Sequence, residues 1–167
     1  MAPSQDSLIP DSPSPRRILV VCTANQCRSP MAEGLIRAAA AARGLGDRVV
    51  VTSSGTWAED GHPATRHAVV TLAERGIDIR GHVSRSLDPL RVATADLILV
   101  MTDNHRQALL AEFPAARGKV MRMSELAGGA WDVADPIGGP IEDYRATADE
   151  LARLIERGWD AIAGGAG

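Results

Sequence analysis

The chain has 167 residues, of which 45% are hydrophobic and 23% charged, with a net charge of −3; this fits one globular domain able to bury a core without cross-links. The acidic balance, the lack of a basic run and a total of only five aromatic residues argue against nucleic-acid binding. No stretch approaches the roughly 20 apolar residues of a membrane span, and Pro3, Pro10, Pro13 and Pro15 break the apolar core a signal peptide would need, so a cytoplasmic monomer without membrane contact is expected.

Met1–Pro15 holds four prolines and four serines with little to bury. It reads as a disordered tail, leaving residues 16–167 as a single domain. Ile18–Val21 (ILVV) is a short apolar run ended by a polar loop, the pattern of a strand buried in a parallel sheet. Ser29-Pro30 reads as an N-cap followed by proline in the first turn; Met31, Leu35, Ala38 and Ala42 continue at helical spacing, and Gly44 is the stop. Val49–Ser54 is the second strand and GTWAEDGHP a loop. Ala64–Arg75 is a helix stopped by Gly76. Asp96–Met101 is a third buried strand, and Asp103 or Asn104 caps a helix reaching Phe113. Lys119–Met123 is a fourth, weaker strand, Trp131–Pro140 a Gly/Pro loop and Ile141–Gly158 a final amphipathic helix. This alternation predicts an α/β fold, a doubly wound sandwich around a four-stranded parallel sheet. Ligands bind such sheets at the carboxyl ends of the strands. Neither G-x-x-x-x-G-K-[ST] nor G-x-G-x-x-G is present, so no nucleotide cofactor is expected.

The segment after the first strand reads CTANQCRSP and contains the only two cysteines, Cys22 and Cys27. A zinc site needs four ligands at short paired spacings, and no second pair accompanies these. Simple packing of a buried thiol is the bland alternative. The position suggests more. Cys22 ends a strand, and the residues after it lead into a helix N-terminus, where unpaired N–H groups and a partial positive charge face the loop. A loop curled from Cys22 to Arg28 aims further N–H groups inward as an anion nest. Arg28 adds a guanidinium suited to bidentate contact with phosphate. The same field favours a thiolate at Cys22, and the Ser29 hydroxyl is placed to steady it. An anion cradle with a nucleophilic sulfur at its base suits phosphoryl transfer, with no metal and no cofactor.

C-x5-R-S-P-M-A-E after an N-terminal strand resembles the low-molecular-weight protein tyrosine phosphatase family. Asp135-Pro136 stands where that family keeps its general acid, before the last helix. SSGT (Ser53–Thr56), GHVSR (Gly81–Arg85) and LILVMT (Leu97–Thr102) follow in the family's order. The resemblance spans roughly Arg17 to Trp159 and implies a phosphatase I-like fold acting on a phosphorylated protein or peptide. It further implies that Cys22 attacks phosphorus, that Arg28 and the backbone of Thr23, Ala24, Asn25, Gln26 and Cys27 hold the phosphoryl oxygens, and that Asp135 protonates the leaving group. Asn25, Ser29 and Ser53 then support the loop. Gln26, Trp57 and Ile137 form the pocket lip, with Trp57 read equally as a partly buried loop anchor, and Cys27 is the redox partner that traps an oxidised Cys22 as a disulfide.

The chain departs from the family's pattern in three ways. Ala24 replaces the usual glycine of the loop, at a cost of about 1 kcal/mol if that residue needs a positive φ. Gln26 stands where phosphotyrosine members have Ile or Leu and phosphoarginine members have Thr. Ile137, Gly138 and Gly139 follow Asp135-Pro136 in place of the aromatic residues that flank a phosphotyrosine ring. Phosphotyrosine is the first substrate expectation and phosphoarginine the second. An arsenate reductase using a small external thiol and a redox-sensing phosphate-binding module are further readings. The histidines are expected to be structural or exposed.

Overall fold

The computed structural model describes residues 13–166; most of the stretch read as a tail lies outside them. In chain order the elements are β1 (Arg16–Cys22), α1 (Arg28–Ala42), β2 (Val49–Gly55), α2 (Arg66–Ala73), α3 (Pro89–Thr94), β3 (Leu97–Val100), α4 (Asp103–Glu112), β4 (Val120–Arg122), α5 (Ile141–Arg157) and α6 (Trp159–Ala163), with 3-10 turns at Pro114–Lys119, Met123–Ala127 and Gly164–Ala166. The four strands form one parallel sheet in the order β2-β1-β3-β4. The predicted doubly wound α/β sandwich is therefore the observed fold.

Alternation along β1 divides the core. Ile18, Val20 and Cys22 face a layer built on Met31, Ile36, Leu72, Ala148, Leu151 and Ile162, from α1, α2, α5 and α6. Leu19 and Val21 face a smaller layer with Val92 of α3, Leu109 of α4 and Ala116. Leu99 is fully buried, so truncation to alanine costs about 2–5 kcal/mol. β1 is central: β2 pairs on one side, with Cys22 opposite Gly55, and β3 on the other, with Val21 opposite Val100. The chain turns to opposite sides on leaving β1, so the carboxyl end of β1 is the switch point of the sheet. The cysteine loop begins there.

Several element ends differ from the sequence reading. α1 begins at Arg28 with Cys27 in the cap position and no side-chain cap, so Ser29 lies inside the helix rather than capping it. Its hydroxyl serves the loop. α4 is capped by Thr102, not by Asp103 or Asn104: the Thr102 hydroxyl accepts from the His105 N–H, and the His105 ring accepts from the Thr102 N–H. α2 starts two residues later than predicted, and β4 is reduced to three residues. Two short helices, α3 and α6, are additional. Among the described residues, no helix is long and apolar enough to cross a membrane.

Candidate active site

Residues 22–28 curl from the end of β1 into the first turn of α1, and the side chains beneath them form one hydrogen-bonded set. The Asn25 amide nitrogen donates to Ser29 Oγ at 2.8 Å and to Ser53 Oγ at 2.9 Å. Both amide hydrogens are thereby used, and each serine keeps its own hydrogen. Ser53 Oγ passes its hydrogen to Glu33 Oε2 at 2.8 Å. The Ser29 hydroxyl hydrogen is free for Cys22 Sγ, 2.9 Å away, an arrangement that supports negative charge on the sulfur. Burial disfavours the Glu33 carboxylate, but contacts from His82, Ser53 and Arg37 outweigh it and hold the carboxyl below its usual range.

The backbone of the loop is held just as closely. Asn25 has a φ of 58° and is the only non-glycine residue with positive φ among the described residues. Asparagine tolerates this left-handed conformation better than most residues. The strain considered for Ala24 does not arise, because the left-handed position falls one residue later. Around Asn25, the Arg85 N–H donates to the side-chain carbonyl at 2.9 Å and His82 Nε2 donates to the main-chain carbonyl at 2.7 Å. The Gln26 carbonyl accepts from the Thr65 N–H at 2.8 Å. Just after β2, Thr56 N–H reaches the Cys22 carbonyl and Trp57 N–H the Thr23 carbonyl, at 2.9 and 3.0 Å. A Cβ on Gly55 would stand 2.3 Å from the Thr23 carbonyl oxygen, so this close approach requires glycine.

Arg28 is buried and joins the loop to the late segment that contains Asp135. Its Nη1 donates to the Val133 carbonyl at 2.9 Å and its Nη2 to Asp135 Oδ2 at 3.3 Å. Its Nε is buried without a hydrogen-bond partner among the described residues. Asp135 Oδ1 accepts from the Ile137 N–H at 3.1 Å and lies 3.7 Å from Cys27 Sγ. Burial, with Asp135 and Cys22 adding to it, pushes the Cys27 thiol up to about 12, so Cys27 is a neutral thiol at neutral pH. Gly139 N–H bonds the Pro136 carbonyl at 3.0 Å, and Gly138 has a φ of 79°. The Gly-Gly pair thus closes a turn directly after Asp135-Pro136.

The structure brings Asp135 to the loop of Cys22 and Arg28, 107 residues from Arg28 in sequence, with Thr23 to Cys27, Ser29 and Ser53 around them. The lip residues are less enclosed. Gln26 is half-buried, Trp57 is 84% exposed and Ile137 is 54% exposed. Trp57 touches the loop through its backbone, while its indole faces solvent. The sequence reading passed over Glu33, His82 and Arg85, although RSPMAE and GHVSR contain them. It also passed over His105, whose Nε2–H donates to Thr23 Oγ1 at 2.8 Å because its Nδ1 accepts from Thr102. Burial, reinforced by Arg28, pushes the His105 imidazole down to about 4. His62 and His67 are exposed, as expected.

Known proteins resemble this chain in sequence and fold. A protein-arginine-phosphatase of Bacillus subtilis is 43% identical over 141 residues, covering 84% of this chain and 92% of that protein. A probable low molecular weight protein-tyrosine-phosphatase of Ralstonia nicotianae is 38% identical over 146 residues, covering 87% and 92%. A solved structure of the YwlE arginine phosphatase, a cysteine-to-serine mutant with a phosphorylated active-site serine, superimposes with a TM-score of 0.80 at 42% identity, covering 84% of this chain and 91% of that one. The sequence profile of the low molecular weight phosphotyrosine protein phosphatases matches residues 17–162, and the chain belongs to that family of hydrolases.

Proposed function

We propose that the chain hydrolyses phosphotyrosine in proteins through a phosphocysteine on Cys22. The observation on which this rests is Arg28, which spans from the cysteine loop to Asp135 and keeps a buried, unpartnered Nε. A tetrahedral oxyanion seated over Cys22 gives that Nε a partner and meets the inward N–H groups of the loop. Cys22 Sγ attacks phosphorus as the phosphorus–oxygen bond to the leaving group breaks, and Asp135 gives that oxygen its proton. Water then attacks phosphorus, Asp135 takes a proton from it, and the sulfur–phosphorus bond breaks to release phosphate and the Cys22 thiolate. The Ser29 hydroxyl hydrogen stabilises the sulfur at both ends of the cycle. The reaction needs a reduced Cys22, which suits the cytoplasm.

A second reading, phosphoarginine, is favoured by one feature. The turn after Asp135 is Pro136-Ile137-Gly138-Gly139, which places no aromatic ring beside the acid, and a relative at 43% identity is named for that substrate. The two readings separate in one assay with p-nitrophenyl phosphate, a phosphotyrosine peptide, a phosphoarginine peptide and arsenate plus thiol. Phosphotyrosine turnover above phosphoarginine turnover supports the first reading; the reverse order replaces it with the second. Cys22→Ser should remove all turnover. Retained turnover in that variant, or no turnover of any phosphorylated substrate by the reduced wild type, would overturn both.

A further inference from the structure

Behind the cysteine loop, against its supporting side chains, lies a cavity of about 320 Å³. Its charged or titratable lining groups are Glu33, Arg37, Asp78, His82, Arg85 and Arg91. Both carboxylates are already engaged. Asp78 is paired with the Arg80 guanidinium at 2.9 and 3.0 Å, and Glu33 with Arg37 at 2.8 Å and Ser53 Oγ at 2.8 Å. Two guanidinium groups are not so matched. Among the described residues Arg85 has no ion pair, and Arg91 reaches only the Ser53 carbonyl, at 3.4 Å. The cavity therefore presents two positive charges without carboxylate partners and has room for about ten water-sized groups.

We propose that this cavity is a second anion site, separate from the loop over Cys22, which binds a compact anion with two or more negative charges and raises the loop's affinity for its own oxyanion. The fork of each guanidinium suits carboxylate or phosphate oxygens. Coupling follows from the lining. Arg85 holds the Asn25 side chain through its backbone N–H, His82 holds the Asn25 carbonyl, and Glu33 and Arg91 both hold Ser53, which Asn25 bonds. An anion that fixes Arg85 and Arg91 thus fixes the groups that keep Asn25 left-handed. The consequence for turnover rests on the phosphatase reading, whereas binding does not.

The test is calorimetric titration with citrate, a compact tricarboxylate, on reduced full-length protein with and without orthovanadate, a tetrahedral anion for the cysteine loop. One citrate should bind per chain, and vanadate should tighten it about fivefold, with citrate tightening vanadate by the same factor because coupling is reciprocal. Arg85→Ala/Arg91→Ala should weaken citrate by about tenfold or more. Arg85→Ala alone, which keeps the backbone N–H on Asn25, should weaken it in the same direction and guards against misfolding of the double variant. Mutual exclusion of citrate and vanadate would place citrate in the cysteine loop and overturn the proposal. So would equal citrate binding in wild type and both variants, or no citrate binding to wild type. Phosphatase activity measured alongside separates the two readings: citrate binding without turnover sinks the phosphatase reading alone.

Discussion

Residues 22–29 are held at nearly every position, whereas residues 131–139 are held mainly in their first half. In the cysteine loop, Asn25 alone takes part in four hydrogen bonds, to Ser29, Ser53, Arg85 and His82, and Ser53 in turn bonds Glu33. In the acid segment the anchors are Asp132 and Val133. Asp132 Oδ1 accepts from Arg122 Nη1 at 2.9 Å and from the Asp103 N–H at 3.0 Å, while the Val133 N–H and carbonyl bond Met101 and Arg28. Asp135 and Ile137 beyond them are exposed. The contrast suits the roles proposed for the two segments: oxyanion donors act best when preorganised, whereas a proton donor serves leaving groups of different shape.

The largest effect expected is at the acid itself. Asp135→Ala should slow p-nitrophenyl phosphate cleavage by about 10²–10⁴-fold, with less loss for leaving groups that depart without a proton. Equal losses for poor and activated leaving groups would remove Asp135 from that role. Next comes the rigid side of the contrast. Asn25→Ala strips the amide's buried hydrogen bonds and puts a Cβ-bearing residue without a polar side chain at positive φ, so a stability loss of about 3 kcal/mol is expected in denaturant unfolding. Asn25→Gly should recover about 1 kcal/mol of it, because only the backbone part is relieved. No difference between the two would mean that the left-handed conformation is unimportant.

Asp132→Asn tests the anchor of the less-held segment. Weakening the Arg122 contact should lower kcat about tenfold with KM little changed, and the loss should follow the same leaving-group dependence as Asp135→Ala. A uniform loss would make Asp132 merely structural. The smallest effect concerns His105. Its folded-state value of about 4 lies below the ordinary 6.5, so the unfolded chain binds the proton first. Its stabilising contribution is complete above pH 6.5 and is lost as pH falls towards 4, by about 1 kcal/mol at pH 5.5. His105→Gln should flatten the fall of the unfolding midpoint across that window; an unchanged profile would locate the acid sensitivity elsewhere.

Much of this site was legible in sequence because its parts are local. Cys22, Arg28 and Ser29 lie within one strand–loop–helix transition, and Asp135-Pro136 has a distinctive position before α5. Ser-Pro is common at a cap, yet the tertiary partners Cys22 and Asn25 claim the Ser29 hydroxyl. Asp103 and Asn104 are good caps by residue type, yet Thr102, one residue before Asp103, caps α4 because it forms a reciprocal pair with His105. α3 and α6 are too short to show a helical period. His82, His105 and Glu33 carried no local signal of a role at the loop, since their contacts with Asn25, Thr23 and Ser53 cross 20 to 82 residues of sequence.

The sequence by itself determined the order of the four strands and of the longer helices, and it singled out Cys22 with Arg28; Asp135 stands out through the resemblance of Asp135-Pro136 to the family's motif. The first two depend on periodicity and on residue types a few positions apart. Only the tertiary structure decided that the left-handed residue is Asn25 rather than Ala24, that Gly55 must be glycine, and that Arg28 spans from loop to acid. These depend on how closely separate segments approach at the end of β1, and a hydrogen bond or a steric contact between distant residues leaves no period in the chain.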